Sequence, residues 1–375
     1  MKNETGLTAI DLFCGCGGIS CGLQRVGFEI LAGADIEKKY IATFAHNFPT
    51  AKTLQIDLSK ISPAELMTSI DIKPGELYLL AGGPPCQGFS KNVPKKLRRI
   101  DASNNLLIKT FLNYCDALKP RFILMENVAE MKNGFDHVYT NEILSDLDKA
   151  GYTVTYSVLN AADYGVPQRR RRTFFLGSQE GITFSLPKPT HLKPLETPEL
   201  FSSLPPHVTV WEAIGDLPGL NHGEQCDYYQ LSPFSEFQKL MRNAQVKLFN
   251  HVARKLKPKQ YERLASLKPG QGHKDLPKHL QVKGGYSGAY GRLTKDMVAP
   301  TITRWVFHPG SGRWGHPVDK RTLSIREVAR IQSFPDSFEL IGSYTQQAGQ
   351  LGNAVPPLLI QKLAESILVQ SGISN

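Results

Sequence analysis

The chain has 375 residues, 41% of them hydrophobic, and a net charge of +10 from 44 Lys and Arg against 34 Asp and Glu. This length suits one large domain plus a smaller one, the apolar share excludes global disorder, and no apolar run approaches the roughly 18 residues of a membrane span. The six cysteines contain no CxxC pair, and the first residues lack a leader pattern. A reduced, cytoplasmic protein is therefore expected, with no membrane partner and no metal. The positive charge favours a polyanionic partner. It clusters at 91–99, 169–172 and 247–259.

Short β-rich runs alternate with helical stretches in the first part, the pattern of a parallel sheet with crossovers. Strands are predicted at 7–13, 28–35, 54–58, 77–81 and 121–125, with 151–159 and 173–176 completing the sheet. The first ends in the glycine-rich Cys14-Gly15-Cys16-Gly17-Gly18, the fourth in Gly82-Gly83-Pro84-Pro85. Prolines become frequent beyond Gly177 and the βαβ rhythm stops until about 318, which predicts a separate irregular domain. Order returns with a helix over 323–334, capped by Ser324, and a final helix over 356–369. The expected division is 1–178, 179–318 and 319–375, the last segment returning to the first domain.

Glycines at a strand-to-helix turn let a ligand approach the backbone, and the helix N-terminus favours a negative group. The spacing is not G-x-G-x-x-G, which argues against a nicotinamide oxidoreductase. Asp35, ending the second strand, can accept hydrogen bonds from both ribose hydroxyls of a nucleoside. Asp57, placed at the end of the third, can accept from an adenine amino group. Cys86 follows a rigid Pro-Pro and precedes Gln87-Gly88, so it is presented at the sheet edge as a candidate thiolate nucleophile. Glu126 follows the fifth strand, on the adjacent edge, where a carboxyl can serve as acid or hydrogen-bond partner.

With these blocks in hand, the sequence resembles the DNA (cytosine-5)-methyltransferases of restriction–modification type. Asp11 to Gly18 is similar to the family's S-adenosylmethionine loop, Pro85-Cys86-Gln87 to its nucleophile motif, and Glu126-Asn127-Val128 to its glutamate motif. Gln168, Arg170 and Arg172 match Q-x-R-x-R. Arg321 to Pro335 resembles the R-x-L-T-x-x-E-x-A-R-x-Q-x-F-P block, and Gly352-Asn353-Ala354-Val355-Pro356 the closing G-N-S-V-P. Six such blocks in order are very specific. Two departures are Ser103, where the family commonly has the arginine of D-x-R, and Ala354 in place of serine.

The resemblance implies an α/β fold: a Rossmann-like sheet of the SAM-dependent methyltransferases with a second, smaller irregular target-recognition domain. It implies S-adenosylmethionine as cofactor, held by Phe13, Gly15, Gly17, Asp35, Ile36, Asp57, Leu58, Leu106 and Asn353. Cys86 would add to C6 of a flipped cytosine, Glu126 would contact N3 and the exocyclic amine, Arg170 would sit at O2 and Arg172 near the nucleophile. Double-stranded DNA would be met by Gln87, Ser90 and Lys91 of the loop after the nucleophile. In the middle domain Ser287, Tyr290, Arg292 and Thr303 would take that role. The resemblance also implies a prokaryotic or phage-encoded, nucleoid-associated monomer, with a restriction endonuclease as a separately acting companion. A tRNA cytosine-5 methyltransferase is disfavoured by the long middle segment, and a non-catalytic relative by the intact Cys86, Glu126, Arg170 and Arg172.

Overall fold

The structure is a computed structural model that describes residues 6–85, 106–131, 137–193, 204–282 and 288–373. The chain divides into two compact units, one drawn from Met1–Asn160, Arg171–Lys188 and Leu359–Asn375, the other from Ala161–Arg170 and Pro189–Leu358. The expected boundaries at 178 and 318 do not coincide with these units. The stretch 319–358 groups with the second unit, and only the chain from Leu359 belongs to the first.

The first unit alternates β1 (Thr8–Leu12), α1 (Gly18–Gln24), β2 (Glu29–Asp35), α2 (Lys38–Asn47), β3 (Lys52–Gln55), α3 (Pro63–Ile70), β4 (Leu79–Gly82), α4 (Leu106–Leu118), β5 (Phe122–Val128), α5 (Val138–Lys149), β6 (Thr153–Asn160) and β7 (Arg171–Ser178). Seven strands form one sheet in the order β3-β2-β1-β4-β5-β7-β6. The central strands are mostly apolar, as burial on both faces requires, with Asp11 of β1 and Asn127 of β5 as buried polar exceptions. Ile10, Leu12, Leu80, Ile123, Met125 and Phe175 join Phe111 and Leu112 of α4 in the core. α3 starts where Ser62 accepts from the Glu65 amide, Glu65 returns the bond to the Ser62 amide, and Pro63 supplies a pre-set first helical residue.

Two sequence expectations need correction. β7 is antiparallel to both β5 and β6, not part of a wholly parallel sheet. β3 stops at Gln55, so Asp57 lies in the following turn, where its carboxylate accepts from the Ser59 amide and hydroxyl. That short edge strand is only half-buried, so its apolar signal does not mark its ends.

The second unit contains α6 (Val210–Ile214), α7 (Glu236–Arg242), α8 (Pro258–Ala265), α9 (Ile325–Ile331) and α10 (Tyr344–Asn353). Its described residues form isolated bridges but no named strand, for example Gln225 with Val252 and Arg292 with Gly315. Every residue of α9 is buried. Side chains satisfy the irregular backbone around it. Arg326 donates to the carbonyls of Phe249, Pro335 and Phe338, and Arg330 to Ala213 while pairing with Asp216 and Asp336. Arg321 pairs with Asp319 and Glu327. α11 (Pro357–Gln370) carries the chain from the second unit into the first. No helix among the described residues is long and apolar enough to cross a membrane.

Candidate active site

β1, β2, β4 and β5 are parallel, so their carboxyl ends share one edge of the sheet. The antiparallel course of β7 brings its first residues to that same edge, with Arg172 opposite Val128. The site of the first unit is built there.

At the end of β1, Phe13 adopts a left-handed backbone (φ 59), followed by Gly15 (φ 56) and Gly17 (φ 94). For a phenylalanine this conformation is unfavourable and persists only where the surroundings over-determine it, a frequent mark of a ligand site. The two glycines differ. A Cβ on Gly17 would lie 2.4 Å from the Phe48 ring, whereas one on Gly15 would meet no atom within 4 Å. Gly17 permits close packing, and Gly15 leaves an open cradle. Asp35 closes it from β2: one carboxylate oxygen accepts from the Gly15 amide at 2.9 Å, the other from the Glu37 amide at 2.8 Å. Burial pushes the Asp35 carboxyl up against these bonds.

Beneath the turn, Asp11 is fully buried and accepts from the Ser20 amide and hydroxyl, at 3.2 and 2.7 Å, with one oxygen. Its other oxygen has no hydrogen-bond partner among the described residues. Burial pushes this carboxyl up to about 7. Ile36, next to Asp35, keeps 58% of its surface exposed, and Leu106, the first residue of α4, keeps 52%. Leu58, by contrast, is packed in the core, and its carbonyl accepts from the Tyr114 hydroxyl. The side chain of Leu58, expected among the cofactor residues, is thus committed to packing.

The second half of the edge is tied together by the Glu126-Asn127-Val128 segment. Asn127 donates its amide to the Pro84 carbonyl at 3.1 Å, fastening the Gly82-Gly83-Pro84-Pro85 segment beside β5. A Cβ on Gly83 would lie 3.3 Å from a Glu126 oxygen, so the glycine lets the carboxylate lie against this segment. Glu126 pairs with Arg172 at 2.9 Å, both largely shielded from solvent. The two residues sit on one face of adjacent strands, on the diagonal of the β5–β7 register. Cys86, Gln87, Ser90, Lys91 and Ser287 lie outside the described residues. Burial pushes up the thiols of Cys14, Cys16 and Cys115, and that of Cys21 to about 12, so none of the four is a ready thiolate.

Three arginine and tyrosine expectations change. Arg170 is buried and donates to the Ile302 carbonyl at 3.0 Å and the Gly352 carbonyl at 3.3 Å, so it braces the second unit. Arg292 is 4% exposed, with its guanidinium on the carbonyls of Leu267, His316, Val318 and Asp319. It has no free donor fork for guanine or phosphate. Tyr290 is packed in a small core with Leu267, Leu276 and Leu280, and its hydroxyl accepts from Arg263. Thr303 is partly exposed and Asn353 exposed, both in the second unit. The contacts of Asn127 and Gly83 escaped sequence reasoning, although both residues lie inside motifs that it identified.

A glycine cradle with a strand-end acid, beside a glutamate–arginine pair, defines a ligand-binding α/β enzyme. The family model for C-5 cytosine-specific DNA methylases matches residues 7–369, and the chain belongs to that family. Its enzymatic class is DNA (cytosine-5)-methyltransferase. The chain is 35% identical to the type II methyltransferase M1.HphI of Haemophilus parahaemolyticus, over 96% of this chain and 87% of that protein. It is 32% identical to M.DdeI of Desulfomicrobium norvegicum, over 96% and 88%. A crystal structure described as a DNA modification methyltransferase encoded within an E. coli prophage superposes with a TM-score of 0.75 at 25% identity. It covers 98% of this chain and 99% of that one.

Proposed function

We propose that the enzyme methylates C5 of a flipped cytosine in a specific duplex DNA sequence, using S-adenosylmethionine and a covalent bond from Cys86 to C6. The observation that carries this reading is the Asn127–Pro84 hydrogen bond. It anchors the chain immediately before Cys86 next to the Glu126–Arg172 pair.

The residues fit the cofactor. Gly15 offers an open cradle, Asp35 ends β2 with its carboxylate against it, and exposed Ile36 supplies an apolar face for an adenine. Phe13, Gly17, Asp57, Leu106 and Asn353 complete the proposed set. When bound, S-adenosylmethionine supplies an electrophilic methyl group. The chain's own residues must make C5 nucleophilic. The Cys86 thiolate forms a bond to C6, pushing electron density onto C5. Glu126 hydrogen-bonds or protonates N3, dispersing the charge this creates, and Arg172 holds the Glu126 carboxylate in place. Once C5 carries the methyl, loss of its proton returns the electrons to the ring and breaks the C6–S bond. A thiol cannot reach C6 in a stacked duplex, so the cytosine must leave the helix.

We further propose that the stretch 179–318 reads the target, with Ser287 and Thr303 retained as DNA contacts, and Gln87, Ser90 and Lys91 acting beside Cys86. The enzyme is further proposed to act as a monomer, with a restriction endonuclease acting separately on the same DNA. The test is trapping on duplex DNA carrying 5-fluorocytosine, where fluorine at C5 blocks the final elimination. Wild type with S-adenosylmethionine should give a covalent adduct, and Cys86→Ala none. An adduct that persists in Cys86→Ala would remove Cys86 from the mechanism.

A further inference from the structure

In the second unit almost every arginine is spent on the protein itself. Arg170, Arg242, Arg254, Arg263, Arg292, Arg313, Arg321, Arg326 and Arg330 each donate to a backbone carbonyl. Arg169 and Arg304 are the exceptions. Both are exposed, and among the described residues neither guanidinium has a hydrogen-bond or ion-pair partner. They are also neighbours in the fold. The segment 299–304 runs beside 167–170: the Arg169 amide donates to the Ala299 carbonyl, Thr301 donates its hydroxyl to the Arg169 carbonyl, and the Ile302 amide donates to Gln168. The other side of this segment is locked as well. A Cβ on Gly352 would lie 2.1 Å from the Arg304 amide nitrogen, so only glycine lets the Thr303–Arg304 backbone rest there.

Trp305 follows directly. Of the three tryptophans it is the one with a large exposed surface, at 49%, against 3% for Trp314 and a half-buried Trp211. It is not a floppy surface ring. Its carbonyl accepts from the Ser311 hydroxyl and the His308 amide, and its ring lies 5.1 Å from the Arg304 guanidinium and 5.7 Å from Phe307. An exposed indole beside the Arg304 guanidinium, on a segment whose backbone is bonded to that of Arg169, suits a phosphate chain, with arginines on phosphates and the flat apolar face on deoxyribose.

We propose that Arg169, Arg304 and Trp305 form a further DNA-backbone contact that holds the duplex without reading its sequence. It adjoins the proposed phosphate contact Thr303, and Arg169 stands three residues along the chain from Arg172. The proposal rests on the reading of the protein as a DNA methyltransferase, and the experiment separates the two.

Duplex affinity would be measured by fluorescence anisotropy across a salt series, for target and scrambled duplexes. Arg304→Ala and Arg169→Ala should each weaken both duplexes alike and flatten the salt slope by about one unit. Trp305→Ala should weaken both by about tenfold, the order expected for exposing part of an indole, with Trp305→Phe recovering much of it. S-adenosylmethionine affinity should stay unchanged in all four variants. Independently of any variant, duplex DNA should protect wild-type tryptophan fluorescence from acrylamide. Unchanged quenching, unchanged affinities and slopes, or losses confined to the target duplex would overturn the proposal. Failure of wild type to form the 5-fluorocytosine adduct would instead overturn the methyltransferase mechanism.

Discussion

The two units solve the same problem, pairing buried backbone groups, by different means. In the first, the ladder of a seven-stranded sheet does it, and side chains at the carboxyl edge are left for chemistry. In the second, the described chain has no named strands, and arginine side chains take over. Arg292 alone serves four carbonyls, and Arg326 three. A net charge of +10 therefore overstates what faces DNA. Much of the positive charge in the second unit is structural, compensated by carbonyl dipoles and by Glu327, Asp336 and Asp216. Burial by itself would raise the Glu327 carboxyl, yet Arg321 beside it holds it well below the usual carboxylate range.

If the edge residues of the first unit are spared for chemistry, they should be expendable for folding. Glu126→Gln keeps the shape but cannot deliver a proton to N3. Single-turnover methylation should fall about 10²–10⁴-fold, with the melting temperature nearly unchanged. A variant with normal turnover would end the division between ladder and chemistry at its central residue.

Asp11 is the exception inside the first unit, a polar group buried under the ladder without full satisfaction. Its carboxyl, raised to about 7 by burial, stays protonated in the fold over a range where the unfolded chain is already ionised. The unfolded state thus binds fewer protons, and the contribution to stability is complete below about pH 4 and declines as pH rises through 7. A shift of this size corresponds to about 4 kcal/mol at most. Asp11→Asn should flatten the stability profile between pH 5 and 8, measured by denaturant unfolding. An unchanged profile would show that another group sets it.

Arg292→Ala tests the second unit. A DNA-reading arginine could be removed with little cost to the fold. A brace serving four carbonyls cannot. The expected loss is about 3 kcal/mol of stability, read as a lower urea midpoint, with the ranking of DNA targets preserved. Unchanged stability with altered target choice would restore the base-reading role and erase the contrast between the units.

This difference also explains how far the sequence was legible. All seven strands were located because apolar runs stopped by glycine and proline report a buried ladder directly. The cradle and Glu126 followed, since strand ends in a parallel sheet share an edge, whereas Arg172 was marked only by its place in the Q-x-R-x-R motif. The reversed direction of β7 was not legible, because strand direction is a property of connections and not of composition. Asn127 and Pro84 lie 43 residues apart, and nothing local marks their hydrogen bond. That Arg170 and Arg292 serve backbone carbonyls was not legible for a related reason. In an irregular unit no periodicity separates inside from outside, and a lone arginine looks like a solvent-facing cation until its carbonyl partners are seen.

The smallest predicted effect compares one local device in both units. Ser62 and Ser324 each cap a helix through the same reciprocal box with a glutamate three residues on. The first box is exposed, so water replaces what a substitution removes. The second is buried. His251 donates from Nε2 to the Pro218 carbonyl, which leaves Nδ1 as the acceptor of the Ser324 hydroxyl at 2.9 Å. Burial lowers the His251 pKa, which keeps this neutral form in place. Ser324→Ala therefore loses a cap and strands a buried acceptor, for about 2 kcal/mol together. Ser62→Ala should cost clearly less. Denaturant unfolding of the two variants side by side decides it. Equal losses would mean that burial and the His251 contact add nothing to the cap of the second unit.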